Sequence, residues 1–357
     1  MALFASIIKQ NITETGDVVP AFSPDVTNLI LSIYIIVLIV GILGNGLVLF
    51  AFAVKVVPVT PFMLLLLNLS IADLVIDVSV FPFLFWEDSN KDTPFICGVI
   101  HKQGITWSAV VANAATYTYI SFVRVNAFSS KAINRSILKF RTIAIFVPMT
   151  WLFGIVLFIP HYFNFYFDST RGSCAPRTGS FYRISSVVQS LLCWVIPVTI
   201  LSINFIRTVR ALWQKEHINQ SAIIKHRKQI TFLLLGLTIF FLLFSTPLLI
   251  FFIFRAANYD KFTDDRQGDE ELKRFYRPVF VVALLNTIAD PLLYAFCWKS
   301  FRSGFAQKRE AWSSVMESNS MSGEAIKKHC VKLTKTSSES ILLTHLDHQK
   351  DKNETKD

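Results

Sequence analysis

Two aspartates, Asp73 and Asp290, and one arginine, Arg124, stand inside long apolar stretches of the sequence. An ionisable group at membrane depth is costly and has a functional or packing reason to be there. In principle such acids can relay ions, as in a transporter or channel. Catalysis has less to build on. His101 and His161 are isolated at the ends of apolar runs, and His345 and His348 lie in a polar tail. Intramembrane hydrolases and desaturases need clustered His, Asp or Glu as metal ligands or acid–base groups, and no such constellation emerges. The five cysteines give neither a disulfide scaffold nor a zinc-ligand cluster. The chain reads as a non-enzyme that requires no cofactor for chemistry.

The elements that position these residues follow from composition. Of 357 residues only 17% are charged while 52% are hydrophobic, and Phe alone occurs 33 times. Mean hydropathy is +0.47. So little polar surface makes lipid the main solvent. The net charge of +10 is dispersed in short clusters between apolar runs, which argues against nucleic acid and for membrane-flanking loops. A hydrocarbon core about 30 Å thick needs roughly 20 apolar residues in a helix. Seven stretches qualify: 28–54, the run after Pro58 and Pro61 to Trp86, 95–128, 141–163, 181–207, 229–255 and 277–298. The third is the least apolar, with Thr106, Asn113, Thr116 and Thr118, as expected of a helix surrounded by others. Backbone polar groups in lipid need internal partners, so all seven read as helices. The predicted fold is all-α, a seven-transmembrane helix bundle over 28–298 after an N-terminal segment at 1–27. Phe301 and Phe305, four residues apart among basic residues, predict an amphipathic membrane-surface helix at 299–309. The polar, Ser-, Thr- and Lys-rich remainder, 310–357, reads as a disordered cytoplasmic tail. No internal repeat of the kind many transporters carry is visible.

Orientation follows from Lys and Arg. The connections after the third and fifth spans carry Lys131, Arg135, Lys139 and Arg141, then Arg207, Arg210, Lys215, Lys225, Arg227 and Lys228. Those after the second and fourth carry only Lys91, Arg171 and Arg177. The N-terminus is therefore expected outside a plasma membrane and the C-terminus in the cytosol. The connection after the sixth span dissents with Lys261, Arg266, Lys273 and Arg274, mixed with six acids from Asp260 to Glu271. Asn11-Ile12-Thr13 is a glycosylation sequon on the expected outer side. Met1 to Gln10 lack the features of a cleaved signal, so the first span is expected to direct its own insertion.

Gly44-Asn45, Asn68-Leu69-Ser70-Ile71-Ala72-Asp73-Leu74, Trp151, Pro197, Pro247 and Asp290-Pro291-Leu292-Leu293-Tyr294 follow in order along the spans. On these residues the chain resembles the rhodopsin-like (class A) G-protein-coupled receptors from about 28 to 305. The resemblance implies a receptor that passes an extracellular signal to a heterotrimeric G protein when the sixth helix swings outward. It implies a polar cluster of Asn45, Asp73, Asn113, Asn286 and Asp290, which in the family can hold a sodium ion with Asp73 as main ligand. The two carboxylates together favour either such an ion or one protonated acid; the other reading is a water-filled network that packs the bundle. It also implies a disulfide from Cys97 to Cys174 on the outer face, the alternative being two unrelated thiols. Cys97 lies two residues farther from Arg124 than the family's usual spacing, so an extra turn or bulge is expected. Cys193 and Cys297 read as packing residues, and Cys330 as a palmitoylated or plain tail cysteine.

Departures from the family pattern matter as much. Arg124 keeps the arginine expected to meet the G protein, but Val123 and Val125 replace its usual neighbours, and Arg227 stands where an acid sometimes helps restrain it. Either the resting state is weakly held, or other packing restrains it, or coupling is impaired. Ser245 takes the place of the family's Trp, two residues before Pro247. Pro197, Phe241 and the small Ala114 can still form the central packing switch, with Pro291 and Tyr294 below. Leu284 in place of a lysine excludes a retinal Schiff base, and Thr106 in place of an aspartate argues against an amine ligand. Acidic outer segments, including Glu14, Asp17, Asp25, Glu87, Asp88 and Asp92, suit a basic peptide, the alternatives being a lipid, a small metabolite or no ligand, with the charges simply solvating exposed loops. Phe83, Trp86, Thr106 and Trp107 are candidate pocket residues, the aromatics being equally readable as interfacial anchors or bundle core. Ser313, Ser314, Ser337, Ser338 and Ser340 are candidate phosphorylation sites for arrestin.

Overall fold

The computed structural model describes residues 24–56, 59–85, 93–128, 139–169, 173–176, 180–215, 222–257 and 266–297, together with Ala306, Arg309, Glu310 and Ser313. Among these residues seven long helices run in order. They are α1 (Pro24–Ala53), α2 (Pro61–Phe85), α3 (Gly104–Phe128), α4 (Phe140–Phe163), α5 (from Ser180 to Lys215), α6 (Ala222–Ala257) and α7 (Arg266–Cys297). All but α3 are long and apolar enough on their own to cross a membrane. The exception is the one packed on α2, α4, α5 and α6 at once. Thr106, Asn113 and Thr116 on it are buried, so its polar side chains meet protein instead of lipid. The outer surface is the reverse: Leu29, Ile36 and Leu43 of α1, Ile145 and Leu152 of α4 and Ile250 of α6 are exposed. A bundle with apolar residues outside and amides inside is built for lipid.

The expected third span is broken. Thr93 caps a short turn, Pro94–Ile96, by accepting a hydrogen bond from the Ile96 N–H at 3.2 Å. A π-helical turn, Cys97–His101, follows, and Gln103 at φ 60° ends it before α3 begins. These irregularities take up the surplus between Cys97 and Arg124. A second π turn, Leu191–Val195, interrupts α5 just before Pro197, whose missing N–H and ring prevent a regular helical turn there. At the seventh span the helix starts at Arg266, well before the expected 277. Asp269, Glu270 and Glu271 fall near its N-terminus, where the helix dipole favours acids.

One feature is not helical. Strands β1 (Phe165–Asp168) and β2 (Ser173–Pro176) form an antiparallel hairpin after α4, with Phe167 opposite Cys174. Alternation puts Phe165 and Phe167 on one face, packed against the Cys97–Cys174 disulfide. Residues 300–357 form a separate unit. Within it Ala306, Arg309, Glu310 and Ser313 are helical, so helical residues reach past the expected end at 309. The rest of the expected surface helix and tail lies outside the described residues, as do Asn11 and Cys330.

Close helix approach rests on glycine. A side chain on Gly154 of α4 would run into the Ser108 carbonyl of α3, whose own hydroxyl donates to the Gly154 carbonyl at 3.2 Å. One helix away, Asn68 of α2 donates to Thr116 at 2.8 Å and accepts from the Trp151 indole at 3.0 Å, joining α2, α3 and α4. Gly154→Val should therefore force α3 and α4 apart and cost about 1–3 kcal/mol, as overpacking does. Thermal unfolding of the purified chain would read this as a lower midpoint, and an unchanged midpoint would contradict the close approach.

Candidate functional site

The bundle interior holds two linked groups of polar side chains. In the first, Asn113 of α3 donates to Asp73 of α2 at 2.5 Å, and Tyr117, one turn farther along α3, donates its hydroxyl to Asp290 of α7. Asp73 and Asp290 lie within hydrogen-bonding reach of each other, with Tyr117 and Tyr294 close to both. Both aspartates are fully buried. The second group is built on Asp77, one turn after Asp73 and equally buried. Thr287 of α7 donates to it at 2.9 Å, and Asn45 of α1 donates to the Thr287 carbonyl at 2.8 Å. Gly41 supplies the room, since a side chain there would collide with the Asp77 carboxyl. The sequence-predicted cluster is thus divided: Asp73, Asn113 and Asp290 join directly, while Asn45 turns towards the Asp77 group.

Several buried oxygens here have no donor. They are Oδ2 of Asp73, Asp77 and Asp290, and Oδ1 of Asn45, Asn113 and Asn286. A buried acceptor without a donor costs about 1–3 kcal/mol, so this set suits protons, water or a cation. A proton shared between Asp73 and Asp290 would satisfy both at once. Among the described residues no three of His, Cys, Asp and Glu converge as a metal-holding group.

Above these groups lies a cavity of about 40 Å³. Trp107 of α3, Trp194 of α5 and Phe280 of α7 wall it, Trp107 meeting the other two rings at 6.2 and 5.8 Å. Asn113, Ser245 and Asn286 also line it. Thr106, expected at the pocket, instead faces α2, with 2.8 Å between its hydroxyl oxygen and that of Ser79. Trp86 lies outside the described residues, and Phe83 is described by its backbone alone. At the mouth the Tyr276 hydroxyl donates to Gln103 at 2.5 Å, bridging α7 to the start of α3. The disulfide from Cys97 to Cys174 fastens the hairpin to that same end.

At the other end of α3, the Arg124 guanidinium sits 5.1 Å from the centroid of the Phe62 ring on α2. It borders a smaller cavity of about 10 Å³ with Ser121 of α3, Asn204 and Thr208 of α5, and Thr231 and Thr238 of α6. Asn204 donates to Ser121 at 3.0 Å, joining α5 to α3. Val123 is 2% exposed and packs inward. Arg227 is described by its backbone alone. Ala114, Pro197 and Phe241, expected to form a central packing switch, are all buried, and the Phe241 ring meets Tyr117 at 4.7 Å.

The profile of the 7 transmembrane receptor (rhodopsin family) matches residues 44–294, from the glycine before Asn45 to Tyr294. The chain belongs to that family. Its relatives include the Allatostatin-A receptor of Bombyx mori, 25% identical over 75% of this chain and 75% of the relative. The Tachykinin-like peptides receptor 86C of Drosophila melanogaster is 25% identical over 76% of this chain and 57% of the relative. The Neuropeptide Y receptor type 2 of Macaca mulatta is 25% identical over 82% of this chain and 81% of the relative. Family membership makes this rhodopsin-family chain a multi-pass membrane receptor and not an enzyme.

Sequence reading of this receptor missed Asp77, Tyr117, Thr287, Trp194 and Phe62. A signal existed for two of them: Asp77 follows Asp73, and Tyr117 follows Asn113, by four residues on a helix, hence on the same face. The Asp77–Thr287 bond gives a direct test. Thr287→Val removes the donor, leaves a buried carboxyl oxygen without a partner, and should cost about 1–3 kcal/mol of thermal stability. Adding Asp77→Leu should recover part of that loss; strictly additive losses in the double variant would argue against the link.

Proposed function

We propose that this receptor transduces an extracellular peptide to a heterotrimeric G protein by an outward movement of α6, with its N-terminus outside the plasma membrane and its C-terminus in the cytosol. The observation that carries the coupling reading is the setting of Arg124: a guanidinium at the inner end of α3, beside a cavity shared by α3, α5 and α6. Movement of α6 would enlarge that cavity and leave the arginine available to the G protein. Pro247 supports a bend, because it interrupts the α6 hydrogen-bond ladder, and Thr246 back-bonds to the Leu242 carbonyl beside it. Ligand binding among the outer ends of α3, α5, α6 and α7 would shift the balance between two α6 positions by its differential affinity for them.

A peptide ligand is supported by relatives whose names specify tachykinin-like peptides and neuropeptide Y. The acidic outer residues of this chain agree with a basic one. The donor-free buried carboxylate oxygens of Asp73 and Asp290 fit a sodium ion, with Asp73 as its main ligand. Such an ion, when bound, would supply the positive charge that lets neighbouring buried carboxylates ionise. Arrestin recruitment through the tail serines and glycosylation at Asn11 complete the proposal.

Restraint of Arg124 is assigned to Phe62. The family's aspartate is absent, and a carboxylate at the buried position of Val123 would itself need a partner. A cation over a ring contributes about 0.5–2 kcal/mol. Second-messenger output without added ligand tests both residues at matched surface expression. Phe62→Ala should raise it by about two- to thirtyfold, the population shift such an energy allows. Arg124→Ala should reduce it to background. Output that Arg124→Ala leaves intact would refute coupling through this arginine, and an unchanged Phe62→Ala would refute the restraint.

A further inference from the structure

Where the family carries Trp, this chain carries Ser245, and Ser245 lines the cavity that Trp107 and Trp194 wall. The consequence is an open floor. Asn113 and Asn286 line the same cavity, 2% and 7% exposed, and the Oδ1 atom of each lacks a donor. The amide of Asn113 is oriented by chemistry: its N–H donates to the Asp73 carboxylate, which leaves its carbonyl oxygen for another partner. Thr287, also in the lining, already donates its hydroxyl to Asp77. Trp107, Trp194 and Phe280 line the cavity together with Asn113 and Asn286, and no lining side chain among the described residues is charged.

We propose that this cavity is the deep end of the ligand site and takes an uncharged hydrogen-bond donor, a primary carboxamide or a hydroxyl, carried on an apolar ring-sized body. The proposal deepens the receptor reading above and rests on it. The space, about 40 Å³, exceeds the roughly 10–15 Å³ that one water needs, so it admits the end of a ligand side chain in place of water. An aromatic body finds edge and face contacts on Trp107 and Trp194. A donor group satisfies oxygens that are otherwise buried at a cost. A carboxylate would place a further negative charge beside Asp73 and present only acceptors to the amide oxygens. It is excluded on both counts.

The test uses the purified full chain in lipid nanodiscs, three probes of one ring size (benzamide, toluene and benzoate), and the thermal unfolding midpoint. Benzamide should raise the midpoint in a saturable way, toluene should do so more weakly, and benzoate should not. Asn286→Leu should weaken benzamide by about fivefold, the worth of one neutral hydrogen bond, and leave toluene unchanged. Ser245→Trp, which installs the family's residue, should fill the space and abolish both shifts. Its own midpoint without probe reports whether it folds, and Ser245→Phe serves as the second filling variant if it does not. Equal benzamide and toluene shifts in the unaltered chain, or a benzamide shift that survives the filling substitutions, would overturn the proposal. Midpoints need no G protein, so a negative result here refutes the deep site alone, and coupling stands or falls separately on the signalling of the Arg124 and Phe62 variants.

Discussion

Three carboxyl groups at the centre of a helix bundle set the terms for everything around them. Asp73, Asp77 and Asp290 are each fully buried, and a carboxylate removed from water is tolerated only with donors, protons or cations close by. The bundle answers with donors from α3 and α7 and with a supporting bond from α1. Asn113 and Tyr117 come from α3, Thr287 from α7, and Asn45 steadies the Thr287 segment from α1. These bonds run between helices, so they fix the relative register of α1, α2, α3 and α7. A lipid-facing exterior gives no comparable specificity, since leucine and a lipid tail are equally apolar.

Chemistry changes along the length of the bundle. The half nearest the disulfide is a nest of rings, with Trp107, Trp194, Phe252 and Phe280 packed on one another. The middle is carboxyl and amide. The opposite end holds a cation over a ring and a small polar cavity. Tyr117 bridges the second zone to α6, because it donates to Asp290 while its ring meets Phe241 of α6. A displacement of α6 at Phe241 therefore disturbs the acid cluster directly, through one side chain.

Much of this is legible in the residues. Seven apolar runs locate the helices, Asp73, Asp290 and Arg124 stand out as residues that lipid would not accept without cause, and the cysteine pair follows from the family resemblance. What escapes a reading of the sequence does so for physical reasons. Asp77 hides behind Asp73, because resemblance to a family motif draws attention to one acid of the pair, and only the four-residue spacing along the helix reveals the other. Phe62 and Trp194 are aromatic residues in a chain crowded with them, and only coordinates separate a ring beneath a guanidinium from a ring against lipid. Sequence suggests both Thr106 and Trp107 for the pocket, but adjacent residues on a helix point about 100° apart, and of the two only Trp107 lines the cavity. The early start of α7 at Arg266 is hidden by its charges, which read as a loop yet suit a helix standing clear of the hydrocarbon.

The π turn at Leu191–Val195 carries a further implication for comparing this chain with its kin. Such a turn is a helix with one residue more than its hydrogen bonding needs, so the segment beyond it is out of phase by about 100° with an uninterrupted helix. Here the extra residue lets Cys193 and Trp194, consecutive in sequence, both point into the bundle. Counting outward from Pro197 along a gapless alignment would therefore match Trp194 and everything before it to the wrong face of a relative with a regular helix. Positional equivalence in the part of α5 before Pro197 has to be decided by which side chain faces the rings, not by residue arithmetic.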